Sequence, residues 1–246
     1  LDFESKIMVK TDAARLLSAE IAAKSWRKDV VCLSGNTDPY QPVERTLKLT
    51  RACLEVLVAA SNPVAVITKS ALVARDADLL GEAARRSWAR ATVTITTLDA
   101  KLARALEPRA STPSRRLDAL AALVRAGVPT GVNVAPIIPG LTDAEIPRIL
   151  EAAAKRGATF AGRTTLRLPG SVEPLFEAWL DRHAPDRKAK VLARVRDVTD
   201  DGASTTRFGV RMRGRGAYAD MLGRMFEAGC ARHGLSSEPP DRRIDV

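Results

Sequence analysis

The sequence predicts an α/β fold built on a parallel sheet, and three observations predict it. Short β-branched runs end in small polar residues. Amphipathic stretches of helical period follow them. The runs recur at a spacing of roughly thirty residues, as right-handed βαβ crossovers require.

The elements follow in chain order. Val30–Leu33 is the first run, and a helical stretch over 43–60 places Val43, Leu47, Leu54, Leu57 and Val58 near one face. Val64–Thr68 is the second, with a helix over 72–87 behind it. Ala91–Thr97 and Thr130–Ile138 flank a helix over 114–126. Asp143 is placed to cap a helix running to about Gly157, with Pro147 in its first turns. Thr164–Leu168 is the fifth run. All five are apolar on both faces, as buried parallel strands are. After residue 170 the rhythm stops: 172–196 read as helical, and Asp200-Asp201-Gly202 marks a turn. The expected organisation is a core over 1–170 and a helical, basic extension over 171–246 packed on it.

With 246 residues, 46% apolar and 28% charged, the chain has the length and composition of one large globular domain. It has no run of 18 apolar residues, so no membrane helix is expected, and no signal peptide is visible. The chain opens on Leu1, and further residues are expected upstream of it. Cys32, Cys53 and Cys230 are odd in number and far apart. They form no disulfide framework, which fits a reducing cytoplasm. The net charge of +10 favours polyanionic partners such as nucleic acid.

In either a barrel or an open sheet, the site lies at the carboxyl ends of the strands. There stand Ser34-Gly35-Asn36-Thr37-Asp38, Thr68-Lys69-Ser70, Thr96-Thr97-Leu98-Asp99, Asn133 with Pro136 to Gly140, and Arg167 to Gly170. The first of these belongs to LSGNTDPYQP, which holds more donors and acceptors than a turn needs. Five polar strand ends on one rim point to a polar ligand. Lys69 is a fixed cation suited to a carboxylate or phosphate, and nearby hydroxyls and amides suit an ammonium or a ribose. Neither GxGxxG nor GxxxxGK[ST] occurs, which removes the two common phosphate cradles. His183 and His233 are late and isolated, so a zinc site or a Ser-His-Asp triad has little support.

Six stretches carry a family resemblance: LDFESKIMVK, GNTDPYQPVE, VITKSALVARDADLL, TITTLD with LEPRASTPSRRLDAL, GVNVAPIIPGLTD and RFGVRMRG. In their order and spacing the chain resembles radical S-adenosylmethionine (SAM) proteins. Within them it is similar to the spore photoproduct lyase-like, DNA repair photolyase-related group. The resemblance implies the partial (βα)6 TIM-like barrel of that superfamily, here without its first βα unit. It implies SAM as cofactor, with Gly35, Asn36, Thr37 and Asp38 at its methionyl end. By the same resemblance Lys69 pairs with its carboxylate, Thr96 lies near its ribose, and the segment holding Asn133 lies along its nucleoside.

The chain departs from the family's pattern in two places. Radical SAM chemistry needs a 4Fe-4S cluster on a CxxxCxxC loop. Those ligand cysteines are expected upstream of Leu1. Cys32, Cys53 and Cys230, separated by 21 and 177 residues, cannot replace them, so no metal ligand is expected in this chain. Cys32 and Cys53 are expected in the core, and Cys230 in a late helix. The lyase also uses a cysteine as hydrogen donor where this chain has Gly35, so photoproduct reversal is not implied. Towards the end, Arg207, Arg211, Arg213 and Arg215 fall within nine positions, and residues 182–215 hold ten Lys/Arg against four Asp/Glu. This clustering is the expected nucleic-acid contact, with Phe208 and Tyr218 as candidates to stack on a base. The expected activity is therefore a radical SAM enzyme, repair- or lyase-like, which generates a 5′-deoxyadenosyl radical on a nucleic-acid substrate. The alternatives are a non-catalytic nucleic-acid-binding module on this scaffold, and a radical enzyme modifying a peptide or small molecule.

Overall fold

The structure, a computed structural model, describes residues 6–198 and 214–240. Five strands, β1 (Val31–Leu33), β2 (Val64–Thr68), β3 (Ala89–Ile95), β4 (Thr130–Ile137) and β5 (Phe160–Thr165), form one sheet in the order β1-β2-β3-β4-β5. Every pairing is parallel. Strand order follows chain order without reversal, which is the order of a barrel wall and not of a doubly wound sheet.

The register sorts the side chains onto two faces. Val64, Val66, Ala91, Val93, Val132, Val134 and Ala161 share the outer face and are all buried beneath helices. The inner face carries Cys32, Ile67, Arg90, Thr92, Thr94, Asn133 and Gly162. Alternation along each strand produces this split, with an apolar core outside and a polar, partly open wall inside.

The helices are α1 (Ala13–Ala22), α2 (Glu44–Leu47), α3 (Leu49–Ala59), α4 (Ala77–Arg86), α5 (Ala100–Leu106), α6 (Pro113–Arg125), α7 (Ile146–Ala154), α8 (Val172–His183), α9 (Lys188–Val198) and α10 (Gly216–His233). Several boundaries differ from expectation. The helix over 43–60 is broken at Lys48, whose φ is +52°. The stretch over 72–87 opens as a 3-10 helix over Ala71–Asp76 before α4 begins. The stretch over 172–196 is two helices, parted by a 3-10 turn at Pro185–Arg187. The fifth strand begins at Phe160 and ends at Thr165, earlier than the expected Thr164–Leu168. Asp143 opens a 3-10 turn, and its carboxylate accepts from the Gly140 amide at 2.8 Å, the Ala144 amide at 2.9 Å and the Tyr218 hydroxyl.

The C-terminal region is helical, as expected. Leu180, Val191 and Val195 bury against Ile138 in a second apolar cluster, which seats α8 and α9 on the segment after β4. α10 packs on α7 and α9, with Gly229 against Leu150. It ends at Gly234, φ +66°, where the left-handed conformation closes the helix. The chain then pairs Ser236 with Phe160 on the free edge of β5.

Candidate cofactor site

The segment after β1 meets the end of β2 around a hollow of about 260 Å³, lined by Ser34 to Asp38, Ile67, Thr68, Lys69 and Thr94. Asp38 builds it. Its Oδ1 accepts from the Tyr40 amide at 2.8 Å and the Thr68 hydroxyl at 2.6 Å, and its Oδ2 from the Lys69 amide at 2.7 Å. The carboxylate thus ties two strand ends together and is itself consumed. Gly35, Asn36 and Thr37 are exposed, and a Cβ on Gly35 would meet nothing within 4 Å. The Thr37 hydroxyl accepts from the Gln41 amide.

A buried charge network anchors the loop behind the hollow. Tyr40 is 1% exposed, with the Arg75 guanidinium 6.0 Å from its ring centre. Arg75 donates to Glu44 Oε1 at 2.8 Å and to both oxygens of Asp76, and Arg51 donates to Asp76 at 3.0 Å. Asp76 is fully buried, so these guanidiniums supply the countercharge that makes its burial tolerable.

Lys69 donates its ammonium to Glu107 Oε1. Glu107 Oε2 accepts from Arg116 Nη2 at 2.6 Å. The Thr96 hydroxyl lies 2.9 Å from Glu107 Oε1 and 2.8 Å from the Ala135 carbonyl, and its one hydrogen serves one of them at a time. Burial alone would raise the Glu107 pKa; the Lys69 ammonium and Arg116 guanidinium outweigh it and hold the carboxyl below its ordinary range.

The predicted site residues therefore divide. Gly35, Asn36, Thr37, Asp38 and Lys69 come together at one hollow. Thr96 is buried and turned towards Glu107 and Ala135; Thr94, two residues earlier, lines the hollow instead. Asn133 lies beside Thr94 on the inner face, and a Cβ on its neighbour Gly162 would stand 3.3 Å from its Oδ1. At the third strand end, Thr97 and Leu98 bind the Glu145 carboxylate at 2.5 and 2.8 Å, and Asp99 caps α5. Thr94, Glu107 and Arg116 escaped the sequence reading. An acid and an arginine flanking a Pro- and Ser-rich loop were the available signal for the last two.

Cys32 is exposed on the inner face, against the expectation of a core residue; it stands on β1, the edge strand, which pairs with β2. Cys53 and Cys230 are buried, and burial raises both thiols, Cys230 to about 11. No group of three His, Cys, Asp or Glu among the described residues is placed to hold a metal ion. His183 is exposed and lies against Trp179, the ring centres 5.0 Å apart. No described helix is long and apolar enough to cross a membrane. Arg207, Arg211, Arg213 and Phe208 lie outside the described residues. Arg215 is exposed at the start of α10. Tyr218 is spent on packing: its hydroxyl donates to Asp143, and Arg194 lies 4.4 Å above its ring.

Residues 6–153 match the family model described as the radical SAM superfamily. The chain belongs to the radical SAM superfamily. Within it, this radical SAM chain is 36% identical over 187 residues to an uncharacterised protein of Mycobacterium tuberculosis, covering 75% of this chain and 55% of that one. An uncharacterised protein of Methanocaldococcus jannaschii is 33% identical over 118 residues, 48% of this chain and 44% of the relative. The chain spans about half the length of the curated relatives it matches. Among solved structures, a spore photoproduct lyase mutant superposes with a TM-score of 0.57 at 16% identity, over 96% of this chain and 71% of the lyase. That likeness shows a shared fold, the partial barrel with a helical C-terminal region.

The superfamily implies SAM and a 4Fe-4S cluster, and the residues present fit the two differently. The open space over Gly35, the half-buried Lys69 side chain and the polar inner face at Thr94 and Asn133 fit the methionyl and nucleoside parts of SAM. The cluster is not fitted by this chain. Its three cysteines stand on β1, α3 and α10, two of them buried with raised thiol pKa values that disfavour the ligating thiolate.

Proposed function

We propose that this chain is the SAM-binding core of a radical SAM enzyme that acts on nucleic acid in the cytoplasm. The observation that carries it is the hollow at the ends of β1 and β2, where Gly35 leaves open space and Lys69 is part of the lining. In this reading Lys69 receives the SAM carboxylate, and the segment Gly35–Thr37 receives the ammonium. Thr94 and Asn133 face the nucleoside across the inner wall. Asp38 takes no part in binding; it holds the two strand ends at the right separation. SAM bound with a 4Fe-4S cluster supplies hydrogen-atom abstraction from a substrate. The cluster would need cysteines other than Cys32, Cys53 and Cys230.

The nucleic-acid assignment is supported by the net charge of +10 and by four arginines within nine positions, with no acid between Ser204 and Arg215. Contacts of this kind go to phosphates, which position a duplex without reading its sequence. Fluorescence anisotropy of a labelled oligonucleotide at several salt concentrations tests it. Log affinity falls linearly with log salt, and replacing Arg211 and Arg213 by alanine flattens the slope by about 1.8 on duplex DNA. Identical binding by wild type and double variant would leave these arginines as surface residues and move the assignment towards a peptide or small molecule.

A further inference from the structure

The carboxylate that holds Lys69 comes from outside the strand ends. Glu107 follows α5, and its side chain is only 14% exposed. Its Oε1 takes the Lys69 ammonium and its Oε2 the Arg116 guanidinium. Arg116 is 2% exposed, and its other N–H groups donate to the Thr94 carbonyl at 3.0 Å and the Ser111 carbonyl at 2.7 Å. Arg116 is thus fixed in place as the countercharge of Glu107. Lys69 keeps 35% of its side chain exposed, and Glu107 uses one of its three ammonium hydrogens. One negative charge is shared between two positive ones, so among the described residues a net positive charge and two further ammonium hydrogens remain at the rim.

We propose that Glu107 is a positioning residue: it fixes the Lys69 ammonium at the rim to receive the carboxylate of SAM, while Arg116 neutralises Glu107 so that the charge of Lys69 stays available. This rests on the reading of the hollow as a SAM site. A lysine already held has lost its rotamer freedom on folding and loses less when it captures a ligand. Without Arg116, Glu107 would cancel the charge it orients. The arrangement selects ligands that bring a carboxylate, and adenosine compounds without one gain nothing from it.

Two ligands separate this role from a structural one. Both are titrated calorimetrically into the anaerobically reconstituted full-length protein. One is SAM. The other is 5′-methylthioadenosine, which keeps the nucleoside and the sulfur but lacks the amino acid. Glu107→Gln weakens SAM about 5- to 20-fold, a part of what the whole charge-assisted bond contributes, because Lys69 keeps its charge and loses its fixed position. It leaves methylthioadenosine within about twofold. Glu107→Asp, which keeps the countercharge for Arg116 but draws Lys69 back, shows the same selective loss with an unchanged thermal unfolding midpoint. In a Lys69→Ala background neither substitution weakens SAM further. Equal loss for both ligands, unchanged or tighter SAM binding, or additive losses in the double variants would overturn the inference. Wild-type protein that binds no SAM would instead remove the reading of the hollow itself, and this inference with it.

Discussion

Asp38 and Glu107 divide the electrostatic work around the hollow. Asp38 spends its carboxylate on two backbone amides and a hydroxyl and becomes structure. Glu107 spends its own on Lys69 and Arg116. Lys69 was singled out in the sequence as a fixed cation at a strand end, and it lines the hollow. Glu107 was not, because it stands 38 residues away and only folding brings the pair together. Thr96, expected near the ribose, is buried with its hydroxyl between Glu107 and the Ala135 carbonyl, since a hydroxyl next to a strand end satisfies a buried carbonyl as readily as it meets a ligand. The depressed Glu107 pKa carries a prediction of its own. A carboxyl held below its unfolded value contributes stability above that value and loses it as pH falls through the folded one. The stability difference between wild type and Glu107→Gln is therefore full at neutral pH and shrinks as pH falls through the ordinary glutamate range and below. Urea midpoints across that pH range measure it.

At the scale of elements, hydrophobic pattern located β2 and β4 nearly to the residue, and β5 poorly. Phe160–Thr165 contains Gly162 and Arg163, which break an apolar run. Both have tertiary reasons invisible in sequence. Gly162 leaves room for Asn133, and Arg163 passes over Phe226 against Gly223 of α10. The short α1 and α5 were missed as well, since few residues of helical period mark either. Gly131 on β4 has a sharper constraint, because a Cβ there would stand 2.3 Å from the Phe160 ring and 2.6 Å from its carbonyl oxygen. Neither neighbour can yield, as Phe160 is 2% exposed and its carbonyl belongs to the adjacent strand. Gly131→Ala is expected to cost about 1–3 kcal/mol, the usual range for overpacking a filled core. Chemical denaturation checks it, and a loss below about 0.5 kcal/mol would show that the β4–β5 contact relaxes more easily than its packing implies.

At the scale of the molecule, the alternation of runs and amphipathic stretches was enough to read a parallel α/β architecture, because each βα unit repeats the same local pattern. Strand order and the polar inner wall were not written in any single segment. They emerge only when the units close side by side. Cysteine spacing was legible in the same arithmetic way. Cys32, Cys53 and Cys230 stand on three different elements, so this 246-residue chain is expected to retain no stable cluster by itself. Anaerobic reconstitution with iron and sulfide analysis after desalting tests this; close to four irons per chain would refute it.

The central claim is that the hollow at the ends of β1 and β2 binds SAM through Lys69. The most direct measurement is the SAM affinity of the reconstituted full-length protein beside that of Lys69→Ala. A charge-assisted hydrogen bond contributes about 1.5–3 kcal/mol, so the substitution should weaken binding roughly tenfold to 150-fold, with the unfolding midpoint unchanged. Equal affinity in the two proteins would contradict the account and place the cofactor elsewhere on the rim.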